Sequence, residues 1–228
     1  MKLLAVETAT EGCSAALAID GEIFTRFEVA PRRHAELILP MCASLLAEAE
    51  INLSHLDAIA FGRGPGSFTG VRIAAGIAQG LAFGLDIPVV PVSTLAALAQ
   101  QIMTELDKIN VLAAIDARMG EIYWGCYRRD EQGRARLVGA ERVSKAGDVT
   151  VRANHAWYGA GSGWAAYGET LVRRSGTSCE GYDGDRLPRA EYIVTLAEIA
   201  FAEGLALGAE QAQPVYLRDN VAKKSHEV

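Results

Sequence analysis

The chain has 228 residues, half of them hydrophobic, with a formal net charge of −6 and only five lysines. That length and apolar content suit one large domain or two small lobes around a substantial core. The charge argues against a protein that holds a polyphosphate backbone by itself, because such binding rests on basic surface.

No run of eighteen uninterrupted apolar residues occurs, so no membrane span is expected. The opening MKLLAVETATEGCSAAL, with its early acid Glu7, does not read as a secretory signal. Cys13, Cys42, Cys126 and Cys179 lack CxxC spacing and are expected to be buried thiols of a reduced, cytoplasmic protein.

In chain order, LLAVET (Leu3–Thr8) reads as a buried strand and CSAALAID as a second. The Asp20-Gly21 pair is a hairpin signal before a third strand, EIFTRFEVA. His34–Glu50 carries Leu37, Ile38, Met41, Leu45 and Leu46 at helical spacing, with Pro40 either opening or kinking the helix. LDAIAFG is a short strand, followed by a glycine-rich loop and a long helix to about Leu85. IPVVPV is the next strand, and Ser93 is placed to cap a helix over TLAALAQQIMTEL.

After about Asn110 the pattern becomes strand, tight turn near Gly120 and outward strand. It continues as strand, glycine turn and helix through HAWYGAGSGWAAYGETLVRR. Ala190–Gly208 reads as an amphipathic helix, and PVYLRDNVAKKSHEV as a polar tail with a disordered end. The predicted division is a first lobe over 1–109 and a smaller lobe over 110–228, with the 191–208 helix packing back on the first. Periodicity alone gives a mixed α/β protein.

The stretch AFGRGPGSFTGVRIAAGIAQGLAFGL poses the functional question. It lacks the lysine of a phosphate-binding GxxxxGK[ST] loop, and in a GxGxxG register the third glycine falls on Thr69 or Ser67. Two readings stay open: a structural tight turn, or an anion site at a helix N-terminus involving Glu7, Gly64, Gly66 and Ser67. Gly76, Gly80 and Gly84 recur every four residues, each costing a helix about 1 kcal/mol relative to alanine. They are expected either to pack closely on the protein's own sheet, or to leave the opposite face, near Val71, Ala74, Ala78 and Leu81, for a partner helix. Asp116 and Arg118 are expected to anchor a turn. The four histidines form no HExxH, and there is no GxSxG elbow.

LAVETATEGCSAAL, HAELILPM, AFGRGPGSFTGVRIAAGIAQGLA, IPVVPVSTLAALA, IDARMGEIY and PVYLR together resemble the bacterial TsaB (YeaZ) family. The resemblance is strong over the first 125 residues and weak over about 130–190. It implies a two-lobed actin-like ATPase (ribonuclease H-like) α/β fold with a reduced second lobe, and a catalytic paralogue, TsaD. In TsaD, a histidine, three residues and a second histidine ligate a metal. Here Thr94 and Leu98 stand at those positions, and a hydroxyl and a leucine cannot replace two imidazoles.

The family implies a non-catalytic scaffold in the transfer of a threonylcarbamoyl group from its adenylate to N6 of adenosine 37, in tRNAs reading codons that begin with A. It implies no cofactor or metal of the chain's own. It also implies pairing with TsaD through the first two helices, self-pairing when TsaD is missing, docking of the small P-loop ATPase TsaE, and tRNA contact only through the complex. From helix phase, the contacting residues are expected to be Leu37, Met41, Leu45, Val71, Ala74, Ala78 and Leu81. The alternatives are a nucleotide-binding actin-like-fold phosphotransferase or ATPase, and a homodimeric binding protein unconnected to tRNA.

Overall fold

Lys2–Glu7 forms the first strand, β1, and every residue after Lys2 in it is buried, because the strand lies in the middle of a sheet covered on both faces. The computed structural model describes residues 1–151 and 155–218. Asp20 and Gly21 have φ angles of 49° and 95°, and they turn β2 (Gly12–Ile19) back into β3 (Glu22–Val29) as the Asp-Gly pair predicts. β3 is the sheet edge, with Glu22 and Glu28 exposed along it, charges that discourage pairing with another chain.

α1 (His34–Glu48), β4 (Ala58–Gly62), α2 (Phe68–Leu85) and β5 (Val89–Val92) follow. Pro40 lies inside α1, so of its two expected roles, opening the helix is excluded. The sheet order is β3-β2-β1-β4-β5, with β1, β4 and β5 parallel and the hairpin strands antiparallel. Ser93 caps α3 (Thr94–Glu105), its hydroxyl accepting from the Ala96 amide at 3.2 Å.

The second sheet repeats this plan. β6 (Asn110–Arg118) and β7 (Glu121–Arg129) form an antiparallel hairpin whose turn carries Arg118, Met119 and Gly120 at positive φ. Asp116 anchors that turn as expected, its Oδ1 accepting from the Arg118 amide at 2.9 Å. β8 (Ala135–Leu137) and β9 (Arg142–Lys145) both pair with β7, while β10 (Trp157–Ala160) and β11 (Cys179–Asp183) add in parallel beyond β6. α4 (Ser162–Ser175) follows β10 as α2 follows β4, and α5 (Ala190–Ala202) follows β11 as α3 follows β5. Among the described residues no α-helix between β9 and β10 matches α1, so this is the two-lobed actin-like α/β fold with a reduced second lobe.

Four apolar layers hold the lobes. α1 and α2 cover one face of the first sheet through Ile38, Leu45, Ala74 and Ala78, packed on Leu4, Val6 and Leu17. α5 covers the other, Ile193, Val194 and Ala197 meeting Leu3, Ala5 and Ala16. α3 packs on the second sheet, Leu95, Leu98 and Ile102 meeting Val111 and Ala113. α4 closes its far face around Trp157, Trp164 and Leu171. The helix before residue 110 therefore serves the second sheet, and the last helix serves the first. We propose the 109/110 division as the boundary of the lobes in sequence, with these two helices exchanged across it.

α5 stops at Ala202, six residues short of its predicted end at Gly208. Gly204 takes a φ of 75°, and the Leu205 amide turns back onto the Ala200 carbonyl at 2.9 Å, closing the last turn. Leu207 then bridges to Val89 on the edge of the first sheet. The expected disorder at the end of the tail, residues 219–228, lies outside the described residues. α2 is the one helix among the described residues long and apolar enough, by length and composition, to cross a membrane. It lies along the first sheet with Val71, Ala74, Ala75, Ala78 and Ala82 buried.

Candidate functional site

The glycine-rich loop between β4 and α2 is pressed against the turn that leaves β1. A Cβ on Gly66 would sit 2.4 Å from the Ala9 carbonyl oxygen, and one on Gly70 2.1 Å from that of Thr8. Only glycine permits that approach. The contact is fixed by the Ser67 amide donating to Ala9 O and the Thr8 hydroxyl donating to Gly70 O, both at 2.7 Å. Ser67 also caps α2, its hydroxyl accepting from the Gly70 amide. The amides of Arg63, Ser67 and Gly70 thus already have partners within the chain, as a tight architectural turn requires.

The four residues weighed as an anion site are not brought together. Gly66 and Ser67 line the large cleft between the lobes, a cavity of about 1180 Å³. Gly64 is buried under Val71 and Val215. Glu7 is wholly buried behind Gly62, on which a Cβ would fall 1.9 Å from Glu7 Oε2. Its carboxylate accepts from the Ala9 amide at 2.6 Å and from the Thr94 hydroxyl at 2.9 Å. Thr94 therefore tethers a buried acid, while Leu98 sits in the apolar layer between α3 and the second sheet.

Burial raises the Glu7 carboxyl from an ordinary 4.5 to about 7, against the opposing effect of those hydrogen bonds. Between these values the folded chain keeps a proton that the unfolded chain has released. This contribution to stability is full below pH 4.5 and is lost as pH rises through 7. Glu7→Gln keeps the shape and cannot ionise, so the difference in stability between variant and wild type is expected to shift by about 2–3 kcal/mol in the variant's favour from pH 5 to 8. Urea titrations of both proteins at the two pH values measure it. A constant difference would show that Glu7 does not titrate in this range.

Burial also pushes the Cys13 and Cys42 thiols up to about 11 and 12, the behaviour of inert core cysteines. Cys126 is buried as expected, whereas Cys179 is only half-buried.

The paired outer helices require a correction. Of the residues expected to meet a partner, Leu45, Val71, Ala74 and Ala78 are core residues at 0–2% exposure, and Leu37, Met41 and Leu81 are half-buried against the same core. The phase of α2 is the reverse of that expectation. The alanine and valine stripe lies on the sheet because it gains from burial, whereas Gly76, Gly80 and Gly84 face outward, and among the described residues no atom beyond the helix's own backbone lies within 4 Å of a built Cβ. Beside them Phe83 is 79% exposed and Phe68 62%, and Leu39 stands out from α1. Sequence reasoning missed Phe68, Arg72 and Phe83. The available signal was Arg72, exposed four residues before Gly76 and so on its face.

A second polar group joins the lobes beside the loop. Glu141, nearly buried, accepts hydrogen bonds from the Ser93 and Tyr127 hydroxyls, and its Oε2 lies 3.7 Å from an Arg63 guanidinium nitrogen. No cluster of three or more metal-ligating side chains occurs among the described residues.

Comparison with known proteins bears on this site. The family model TsaD, described as tRNA N6-adenosine threonylcarbamoyltransferase, matches residues 27–226. The chain is 46% identical over 228 residues to a tRNA threonylcarbamoyladenosine biosynthesis protein TsaB of Escherichia coli K12, covering 98% of this chain and 97% of that one. The Haemophilus influenzae protein of the same name is 41% identical, covering 98% and 96%. Among solved structures, YeaZ from Pseudomonas aeruginosa superposes with a TM-score of 0.89 at 50% identity, covering 95% of this chain and 99% of that one. A second Pseudomonas aeruginosa structure with the same agreement is described as similar to the peptidase YeaZ.

Proposed function

The chain belongs to the TsaB (YeaZ) family and serves tRNA threonylcarbamoyladenosine biosynthesis, and from that premise we propose that it is a non-catalytic scaffold and activator. In this reading it docks on a TsaD-type catalytic paralogue through the outward faces of α1 and α2. The paralogue then transfers the threonylcarbamoyl group from its adenylate to N6 of adenosine 37. A small P-loop ATPase of the TsaE type joins the pair, tRNA meets the chain only through the complex, and a self-dimer forms by the same face when the paralogue is missing. The complex works in the cytoplasm.

The observation that carries the docking face is the outward glycine row. Gly76 and Gly80 inside α2 each cost it about 1 kcal/mol relative to alanine, Gly84 lies in its last turn, and among the described residues nothing beyond the helix's own backbone comes within 4 Å of a Cβ built on any of the three to offset that cost. A row without side chains, beside an exposed Phe83, lets a second helix approach to backbone distance. Thr94 and Leu98 support the non-catalytic reading. At the places where the resemblance puts metal-binding histidines, one side chain tethers Glu7 and the other fills the core. The phosphotransferase alternative is weakened by Glu7, which is sealed behind Gly62 and does not line the cleft.

Reconstitution tests the reading. Catalytic paralogue, P-loop ATPase, tRNA and threonylcarbamoyl-adenylate are expected to give modified tRNA only when this chain is added, and the chain alone is expected to give none. Modification at full rate without it would overturn the activator role, and modification by the chain alone would overturn the non-catalytic one.

A further inference from the structure

Beyond β11 and α5 the chain returns to the cleft as a short irregular segment, Pro214–Arg218, whose residues Val215–Arg218 form part of the cleft wall. Its first hold is on the glycine loop of the first lobe. The Val215 amide donates to Arg63 O at 2.8 Å, and the Val215 carbonyl oxygen lies 3.2 Å from where a Cβ on Gly64 would stand. Its last hold is on the second lobe. Arg218 Nη2 donates to Glu121 Oε2 at 2.6 Å and to Arg118 O at 3.5 Å, with the guanidinium 5.9 Å from the centre of the Tyr123 ring. Between the two, Tyr216 reaches α2. The Arg72 guanidinium lies 3.2 Å from the Phe68 ring centre and 5.1 Å from that of Tyr216.

Phe68, Arg72, Gly76, Gly80 and Gly84, all exposed, are spaced by four and form a row that turns about 40° round α2 at each step and so slants across its outward side. Tyr216 therefore sits at the end of the outward row. The Arg63 backbone that receives the segment belongs to the residue whose side chain faces Glu141, so both cross-lobe links meet at the glycine loop. Arg218 is only 17% exposed, and among the described residues its Nε has no hydrogen-bond partner.

We propose that Pro214–Arg218 is a strap that latches the lobes across the cleft, and that its Tyr216 is the end piece of the docking face on α2. Seating of the strap and occupation of that face are then linked through Arg72. The linkage rests on the docking reading above; the latch does not.

Hydrogen exchange on the isolated full-length chain tests the latch. Arg218→Met keeps the apolar stem and removes the bonds to Glu121 and Arg118. It is expected to speed exchange about tenfold or more both in the hairpin 118–123 and in the loop 63–72, with β1 and β6 still protected. Faster exchange confined to 214–218, or no change, would overturn the latch. Titration with the catalytic paralogue tests the linkage. Tyr216→Ala is expected to weaken association about tenfold, and bound paralogue to alter exchange along the strap. Unchanged affinity would overturn the linkage while the docking face stood. Failure of the wild-type chain to bind at all would overturn the docking face itself, and the latch would still be judged by the exchange of the isolated chain.

Discussion

A leucine in place of Gly80 is expected to leave the isolated chain folded and to weaken its association with the catalytic paralogue about 100-fold, because an isobutyl group would hold two helix backbones apart where the glycine row lets them meet. The fold should tolerate it: position 80 is exposed, no atom of the described residues beyond the helix's own backbone lies within 4 Å of a Cβ there, and leucine is a strong helix former. Gly80→Ala provides the matched control. It is expected to stabilise the isolated chain by about 1 kcal/mol, raising Tm by about 2–4 °C, while perturbing association less than leucine does. Calorimetric titration gives the affinities and thermal melts give the stabilities. A Gly80→Leu chain that binds as the wild type does would sink the outward face as the docking surface. A control that lowers Tm would mean that the chain itself needs the glycine.

Ten residues earlier, the same substitution to alanine is expected to act in the opposite direction. Gly70→Ala brings a methyl group to about 2.1 Å from the Thr8 carbonyl oxygen, a backbone atom that cannot rotate away. Relief requires moving the α2 N-terminus off the β1 turn, which breaks the 2.7 Å bond from the Thr8 hydroxyl to Gly70 O. The expected loss is about 3 kcal/mol, a fall in Tm of about 10 °C, with poor soluble yield. A Gly70→Ala chain melting within a few degrees of wild type would show that the loop has room to shift, and its glycines would then need another explanation. The two alanine variants together separate the two uses of glycine in one element: close approach inside the chain at 70, and an outward row at 76–84.

Local chemistry made much of this fold legible. The Asp20-Gly21 hairpin, the Ser93 cap and the Asp116 turn are each decided by residues within a few positions of one another. The order of strands and helices through β7, with β10 and α4, followed from the same kind of signal, whereas β8, β9 and β11 went unread, and the resemblance supplied the pairing of lobes. The phase of α2 was misread because glycine and alanine are both small, so spacing alone marks two stripes. Transfer free energy separates them, since alanine and valine gain from burial and glycine does not, and Arg72 on the glycine side marks which stripe faces water. The end of α5 was overrun because Leu205 and Leu207 continue its apolar pattern, though Leu205 is exposed and Leu207 bridges to Val89 at the edge of the first sheet. Glu7 gave no sign of its seclusion: β1 is covered on both faces, so alternation carries no information about which way its last residue points. The hold of Val215 and Arg218 on Arg63 and Glu121 joins residues far apart in sequence, and no local period records it.

The exchange of α3 and α5 between the sheets has a consequence for how the chain comes into being. As the ribosome releases it, the first five strands and two helices are complete by Val92, but the inner face of their sheet, Leu3, Ala5, Ala16 and Ala18, is not closed until α5 emerges a hundred residues later. Nor can α3 settle when it appears, since the sheet it covers is not yet made. Domains ordinarily finish one after the other during synthesis. Here the nascent first half must carry an open apolar surface until nearly the whole polypeptide is out, so the two lobes mature in a single late event, and neither half should be obtainable as a stable fragment by dividing the gene between them.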